Sequence, residues 1–272
     1  MRSFCGALNR ATMGRRDRHA TFSLEEKAKC AIRCWRAMLF LVGYDEAKFT
    51  RSLDSFDSRP TQYIVEFDAS LTGAGVIIYK RVHAMEVCLA ATAMDLRGLG
   101  FGSDSSFQNT AEYVGAIVGI LGLLRLGVSN EDIELRGDSI SALTWAKTER
   151  PRGKVVTNAA MVFTILCVTH GIEAKEAIHI SGDANYRCDQ LSRIAESGLE
   201  VVDVLKGIGL GDVRDLMLES DGNARDIIES CRPDRCFNSE GDFILFWREI
   251  TNRVGASPVT NPPSHLFPPS YV

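Results

Sequence analysis

The order of elements between residues 61 and 197 constrains this chain most, because short β-branched runs alternate there with longer apolar stretches of helical character. TQYIVEFDAS reads as a strand that reaches an acid at its end, and LTGAGVIIYK follows with two glycines and a β-branched run, the second arm of a hairpin. HAMEVCLAAT alternates weakly and reads as a third strand. A Gly/Ser-rich loop, DLRGLGFGSDSSFQ, precedes a long helix capped at Asn109 or Thr110, which runs to about Leu126 and stops at Gly127. Gly115 and Gly119 within it predict a close helix–sheet packing face, since glycine is costly to helix propensity. IELRGDS is then a short strand, SALTWAKTE a helix, and KVVTNAAMVFTILCVTHG an apolar helix closed by Gly171. IEAKEAIHI is a last strand and NYRCDQLSRIAES a last helix. This order predicts an α/β fold, a mixed five-stranded sheet flanked by helices.

A length of 272 residues leaves room for attachments around one well-buried domain. Residues 1–60 read as a helical prefix: in SLEEKAKCAIRCWRAMLFLV, Ser23 and Glu26 form a capping box, and Ala31, Cys34, Trp35, Met38 and Leu39 recur at helical spacing. Residues 198–272 read as short helices in VVDVLKGIG and DVRDLMLE, then EGDFILFWREI, whose pattern fits helix or strand. The final 15 residues hold five of the eight prolines and are expected to be extended or disordered.

A formal net charge of -4 excludes a strongly basic nucleic-acid coat protein but not a nucleic-acid enzyme. The charge is uneven: 12 Lys/Arg stand against 7 Asp/Glu in residues 1–60, 12 against 16 in 61–197, and 7 against 12 in 198–272. Attraction for a polyanion is therefore expected toward the amino-terminal part. The eight cysteines form neither a CxxC pair nor a dense framework, which predicts buried thiols in a reducing compartment. No apolar run approaches the roughly 18 residues of a membrane span, and the basic opening lacks the apolar core of a secretory signal. The expected setting is cytoplasmic or nuclear, not secreted, with no membrane.

Four carboxylates share a placement. Asp68 ends the first strand, Glu112 falls in the first turn of the long helix, Asp138 ends the short strand after it, and Asp189 opens the last helix, with Asp183 just before. Strand ends and helix starts are where α/β folds collect functional groups. Clustered carboxylates repel one another and are tolerated mainly when cations neutralise them. Oxygen donors suit Mg2+ or Mn2+, and two such ions about 4 Å apart can activate water and stabilise a leaving oxygen in phosphodiester hydrolysis. Singly, each acid has an ordinary reading as a turn, cap or helix-start residue, so spacing alone leaves both readings open.

The motifs resemble the ribonuclease H domain of retroelement reverse transcriptases. FDASLTGAG, with Asp68, Gly73 and Gly75, is similar to the family's first catalytic acid and its glycine-containing hairpin. NTAEY places Glu112 at the helix carboxylate, and LRGDSISAL places Asp138 at the next acid. HISGDANYRCDQLSR resembles the terminal motif through Gly182, Asn185, Asp189, Leu191, Ser192 and Arg193. The Leu-Ser-Arg ending looks more like long-terminal-repeat or tyrosine-recombinase retroelements and pararetroviruses than cellular ribonucleases H. The likeness covers residues 61–197 well, and 1–60 loosely resembles the connection joining polymerase to ribonuclease H.

This resemblance implies metal-dependent hydrolysis of the RNA strand of an RNA–DNA hybrid, leaving 5′-phosphate and 3′-hydroxyl ends. Asp68 would contact both of two ions, Glu112 and Asp138 would hold the ion that activates water, and Asp189, with Asp183 as competitor, the ion on the leaving-group side. His179 is the one candidate for the proton-shuttling His of some family members, or it is a strand residue. Ser139 contacts phosphate or caps its turn. Asn185 is a substrate contact or a brace for the loop. Lys147, Arg150, Arg152 and Lys154 form a small patch for the phosphate backbone or a solvated turn. A polymerase domain of a parent polyprotein is the expected partner, since no Tyr-x-Asp-Asp motif occurs in this chain, which is then expected to be a fragment or gene remnant. The competing readings are a domesticated, non-catalytic nucleic-acid-binding or ribonucleoprotein structural protein, and an integrase-like or junction nuclease on the same fold.

Overall fold

The computed structural model describes residues 61–254 except 84, 103, 104, 149, 150, 152, 154, 236 and 238, together with residues 29, 32, 33, 36, 37, 39 and 40. Most of the expected prefix, the basic residues Arg150, Arg152 and Lys154, and the Pro-rich tail lie outside the described residues. The described prefix positions are helical, and Ala37 is fully buried in the main core.

β1 (Tyr63–Ala69) pairs antiparallel with β2 (Gly73–Val82), and β2 pairs antiparallel with β3 (Met85–Asp95). On its other side β1 runs parallel to β4 (Asp132–Gly137), and β4 parallel to β5 (Glu173–His179). Alternation along β1 divides the core. Val65 and Phe67 face the main apolar cluster, and Ile64 faces a second, smaller one. The main cluster is closed by α1 (Ser105–Arg125), α2 (Ile140–Thr148) and α3 (Thr157–His170). The second is closed by α4 (Tyr186–Ser192) and α6 (Val201–Gly207), with α5 (Ile194–Ser197) between them.

The glycines of α1 let it lie against the sheet, as expected for Gly115 and Gly119. A Cβ on Gly119 would fall 2.3 Å from Val65 Cγ1, and one on Gly122 would fall 2.8 Å from Ile78 Cδ1. No described helix is long and apolar enough to cross a membrane.

Four expectations are corrected. The sheet has six strands rather than five, in the order β5-β4-β1-β2-β3-β6. DVRDLMLE, expected as a helix, supplies β6 (Arg214–Asp215) and then a 3-10 turn at Leu218–Ser220. β6 pairs parallel with Ala90 and Ala91, and Leu216 N donates to Ala91 O at 3.0 Å, so backbone groups on the outer edge of β3 are satisfied. The long helix starts at Ser105, so Glu112 stands at its eighth residue rather than in its first turn. Thr110, a candidate cap, instead donates to Ser106 O four residues back, inside the helix. NYRCDQLSRIAES is two short helices, broken at Arg193.

EGDFILFWREI resolves as helix α8 (Glu240–Arg253), opened by a capping box between Ser239 and Asp242. α8 packs on α3, and Phe246 and Ile250 are fully buried in the main cluster. Before it, α7 (Gly222–Glu229) starts at Asp221, whose side chain accepts from Asn223 N and Ala224 N and pairs with Arg125 at the end of α1. Asp221→Ala is expected to lower stability by about 1 kcal/mol, read as a fall of about 2–4 °C in the thermal midpoint. An unchanged midpoint would show that this cap contributes nothing.

Candidate metal centre

The site forms where β1 and β4 end beside an inner turn of α1. Asp68 lies one residue from the end of β1, opposite Gly75 of β2. Asp138 directly follows β4, which runs parallel to β1 in a register that sets Arg136 beside Glu66. α1 crosses β1 so closely that a Cβ on Gly115 would sit 3.5 Å from Asp68 O, and Glu112, one turn earlier, reaches the end of the strand. One carboxylate oxygen from each of Asp68, Glu112 and Asp138 lies within 4.8 Å of the other two. Asp68 and Glu112 are both 8 % exposed, and Asp138 is the more open of the three.

Each buried acid is held. Glu112 accepts from Ala69 N at 3.2 Å through Oε2 and from Gln108 Nε2 at 3.1 Å through Oε1. Gln108 Nε2 also donates to Ala69 O at 2.9 Å, so one side chain ties the helix to the strand end. Asp68 Oδ2 accepts from Ser192 Oγ at 2.7 Å, and Oδ1 lies 3.5 Å from Asn185 Nδ2.

Burial, with the neighbouring carboxylates adding to it, pushes the Glu112 carboxyl up to about 8. Burial likewise pushes Asp68 up to about 6, against the Ser192 hydrogen bond, which lowers it. Three converging carboxylate oxygens, two of them on the buried Asp68 and Glu112 whose negative charge is resisted in this way, fit a hard divalent cation. The donor set contains no thiolate or imidazole, which matches Mg2+ or Mn2+ better than a softer metal. Asn185 Oδ1, buried beside Asp68, has no hydrogen-bond partner in the structure.

Asp189 sits on α4 with its side chain 33 % exposed, and its Oδ1 takes both Nε and a terminal nitrogen of Arg193 at 2.8 and 2.7 Å. Its charge reaches Asp68, but it does not join the converging three. Asp183 is exposed on the turn before α4 and does not join them either. His179 is the last residue of β5, exposed, and paired in register with Gly137, which precedes Asp138. Ser139 Oγ accepts from Ala142 N at 3.3 Å, the bond of a cap on α2. Lys147 is exposed on α2. Asn185 is 1 % exposed and donates to Phe67 O at 3.1 Å, so it occupies the place of a brace rather than that of a surface contact.

Sequence reasoning gave no role to Ser192 and did not single out Gln108. The signal for Gln108 was its place four residues before Glu112, the spacing at which helical side chains meet. Ser192 stands in the Leu-Ser-Arg ending of the terminal motif, but its role is not legible there because its partner is 124 residues away.

No family model matches the chain, and no curated protein matches it in sequence. Among solved structures, it is similar to the N-terminal RNase H domain of a Mycobacterium tuberculosis protein determined as a fusion with maltose-binding protein (15% identity, 55% of this chain and 99% of that one, TM-score 0.40). It is similar also to RNase H1 from the halophilic archaeon Halobacterium salinarum (21% identity, 50% and 98%, TM-score 0.37). A third similar structure is LC11-RNase H1 in complex with an RNA/DNA hybrid (16% identity, 51% and 100%, TM-score 0.40).

Proposed function

We propose that this chain is a metal-dependent endonuclease that hydrolyses the RNA strand of RNA–DNA hybrids and leaves 5′-phosphate and 3′-hydroxyl ends. The observation that carries the reading is the convergence of Asp68, Glu112 and Asp138 from the ends of β1 and β4 and from α1. Asp68, Glu112 and Asp138 would hold the cation, and Asp189 a second one once its carboxylate leaves Arg193. Bound divalent cations supply an activated water and charge stabilisation for the leaving oxygen in phosphodiester hydrolysis.

The chain's own residues prepare that chemistry. Gln108 and the Ala69 amide orient Glu112, and Ser192 orients Asp68. Asp68 and Glu112 are buried, and Asp138 stands on the more open side, where a phosphodiester would approach. His179, at the end of β5 in register with Gly137, would exchange protons with solvent. Hybrid recognition would rest on duplex shape and 2′-hydroxyls, with little base preference. Lys147, Arg150, Arg152, Lys154 and Ser139 are the proposed backbone contacts. The Leu-Ser-Arg ending supports a retroelement reverse-transcriptase polyprotein as the parent, with its polymerase domain as partner.

The test is cleavage of an end-labelled RNA–DNA hybrid in Mg2+ and in Mn2+, with duplex DNA and junction DNA as competitors. Wild-type protein is expected to cut the hybrid alone, and Asp68→Asn to cut it more than about 100-fold more slowly, beyond the loss typical of a residue that merely supports a ligand. Cleavage unaffected by Asp68→Asn would overturn the assignment. Folded protein that binds hybrid without cutting it would leave a non-catalytic nucleic-acid-binding protein.

A further inference from the structure

We propose that α4 is the positioning element of Asp68. Ser192 fixes the carboxylate in the orientation that meets a divalent cation, and Gly73 and Gly75 are the positions that let it do so. The inference rests on the metal reading above. Asn185 immediately precedes α4 and Ser192 ends it. They are seven residues apart, two helical turns, and so share one helix face. That face brings Asn185 Nδ2 to Asp68 Oδ1 at 3.5 Å and to Phe67 O at 3.1 Å, and Ser192 Oγ to Asp68 Oδ2 at 2.7 Å. Both side chains are 1 % exposed.

A carboxylate has about four lone-pair sites. Ser192 and Asn185 take at most one on each oxygen, which leaves the others for a cation while rotation of the group is stopped.

The seat of the helix explains the two hairpin glycines. A Cβ on Gly73 would fall 2.3 Å from Ser192 O. One on Gly75 would fall 2.4 Å from Cys188 O and 2.6 Å from Ser192 N. Neither glycine has a positive φ, so the missing Cβ is what the site requires, not an unusual backbone. Cys188 and Leu191, fully buried in the second cluster, press the helix onto β2. Ser192 Oγ has a second acceptor available, Asp189 O at 2.9 Å, the ordinary bond of a helical serine to the turn before it. Its single hydrogen goes to the charged acceptor, which makes the stronger bond.

The experiment compares wild type, Ser192→Ala, Ser192→Thr and Asp68→Asn in the full chain, with Mn2+ binding followed by calorimetry and by the spin signal of the free ion, and with metal-free melting recorded in parallel. Ser192→Ala is expected to weaken Mn2+ binding about 10-fold while the metal-free protein still melts cooperatively, with a midpoint lower by about 5 °C for the lost hydrogen bond to Asp68. Ser192→Thr, which keeps the hydroxyl, is expected to restore affinity. If Asp68→Asn loses Mn2+ binding and Ser192→Ala keeps it, the positioning role is overturned while the metal centre stands. If Asp68→Asn binds Mn2+ as wild type does, the metal reading itself fails.

Discussion

Gly75→Ala is expected to lift α4 from the sheet and to cost about 4 kcal/mol of stability, together with the site's affinity for divalent cations. The added Cβ would meet backbone atoms of Cys188 and Ser192 and the Leu191 Cβ at 2.4–2.6 Å, and backbone cannot turn aside as a side-chain tip can. Overpacking of that kind costs about 1–3 kcal/mol. Moving the helix also withdraws Cys188 and Leu191 from the second cluster, and a fully buried side chain of that size is worth about 1.5–3 kcal/mol. The readout is a fall of about 10 °C in the thermal midpoint, with Mn2+ binding lost in parallel. Gly207→Ala, where a Cβ meets nothing within 4 Å, is the control and should change the midpoint little. Equal midpoints for the two variants would mean that α4 does not rest on β2 through this glycine.

Metal-free protein is expected to lose stability as pH rises from about 4 to about 8, and Mg2+ to restore it at the alkaline end. Burial raises Asp68 from 3.8 to about 6 and Glu112 from 4.5 to about 8, and it raises Glu66, beneath Cys188, in the same direction. Between the unfolded and folded values the native state binds more protons than the unfolded chain, so stability falls with rising pH across that window. The penalty is absent below the unfolded values and complete above the folded ones. The two site acids together account for a change on the order of 4 kcal/mol, since their titrations are coupled and do not add fully.

Arginine partners hold Glu86 and Asp95 below the usual carboxylate range, so those groups withdraw stability only under more acidic conditions. Thermal melts in a chelator should therefore decline by about 10 °C between pH 5 and pH 8. Added Mg2+ should raise the midpoint much more at pH 8 than at pH 5, because at pH 5 protons already occupy the site. A metal-free midpoint independent of pH would show that Asp68 and Glu112 are not buried beside other acids as described.

Much of this arrangement is legible in the amino-acid sequence. Asp68 and Asp138 stood at the ends of β-branched runs, and two parallel neighbours that end together bring such residues side by side. Gly115 and Gly119 marked the packing face of α1. What escaped reading has identifiable causes. β6 is two residues long and has no period to detect. Phe243 to Trp247 is an unbroken apolar run that fits a strand as well as a helix, and the Ser239–Asp242 box that decides the matter is a cue of only two residues. The start of α1 was misplaced because Thr110, a good cap by type, spends its hydroxyl inside the helix. Ser192 acquires meaning only when α4 crosses β2, which no local pattern encodes.

β6 closes the outer edge of β3, and α8 covers α3. During synthesis, then, a nascent chain that has reached only residue 197 carries an open sheet edge and an uncovered apolar helix. Leu216, Phe246 and Ile250, which complete that surface, are made only afterwards. A chain cut at residue 197 is therefore expected to expose both and to aggregate, although it carries every carboxylate of the site.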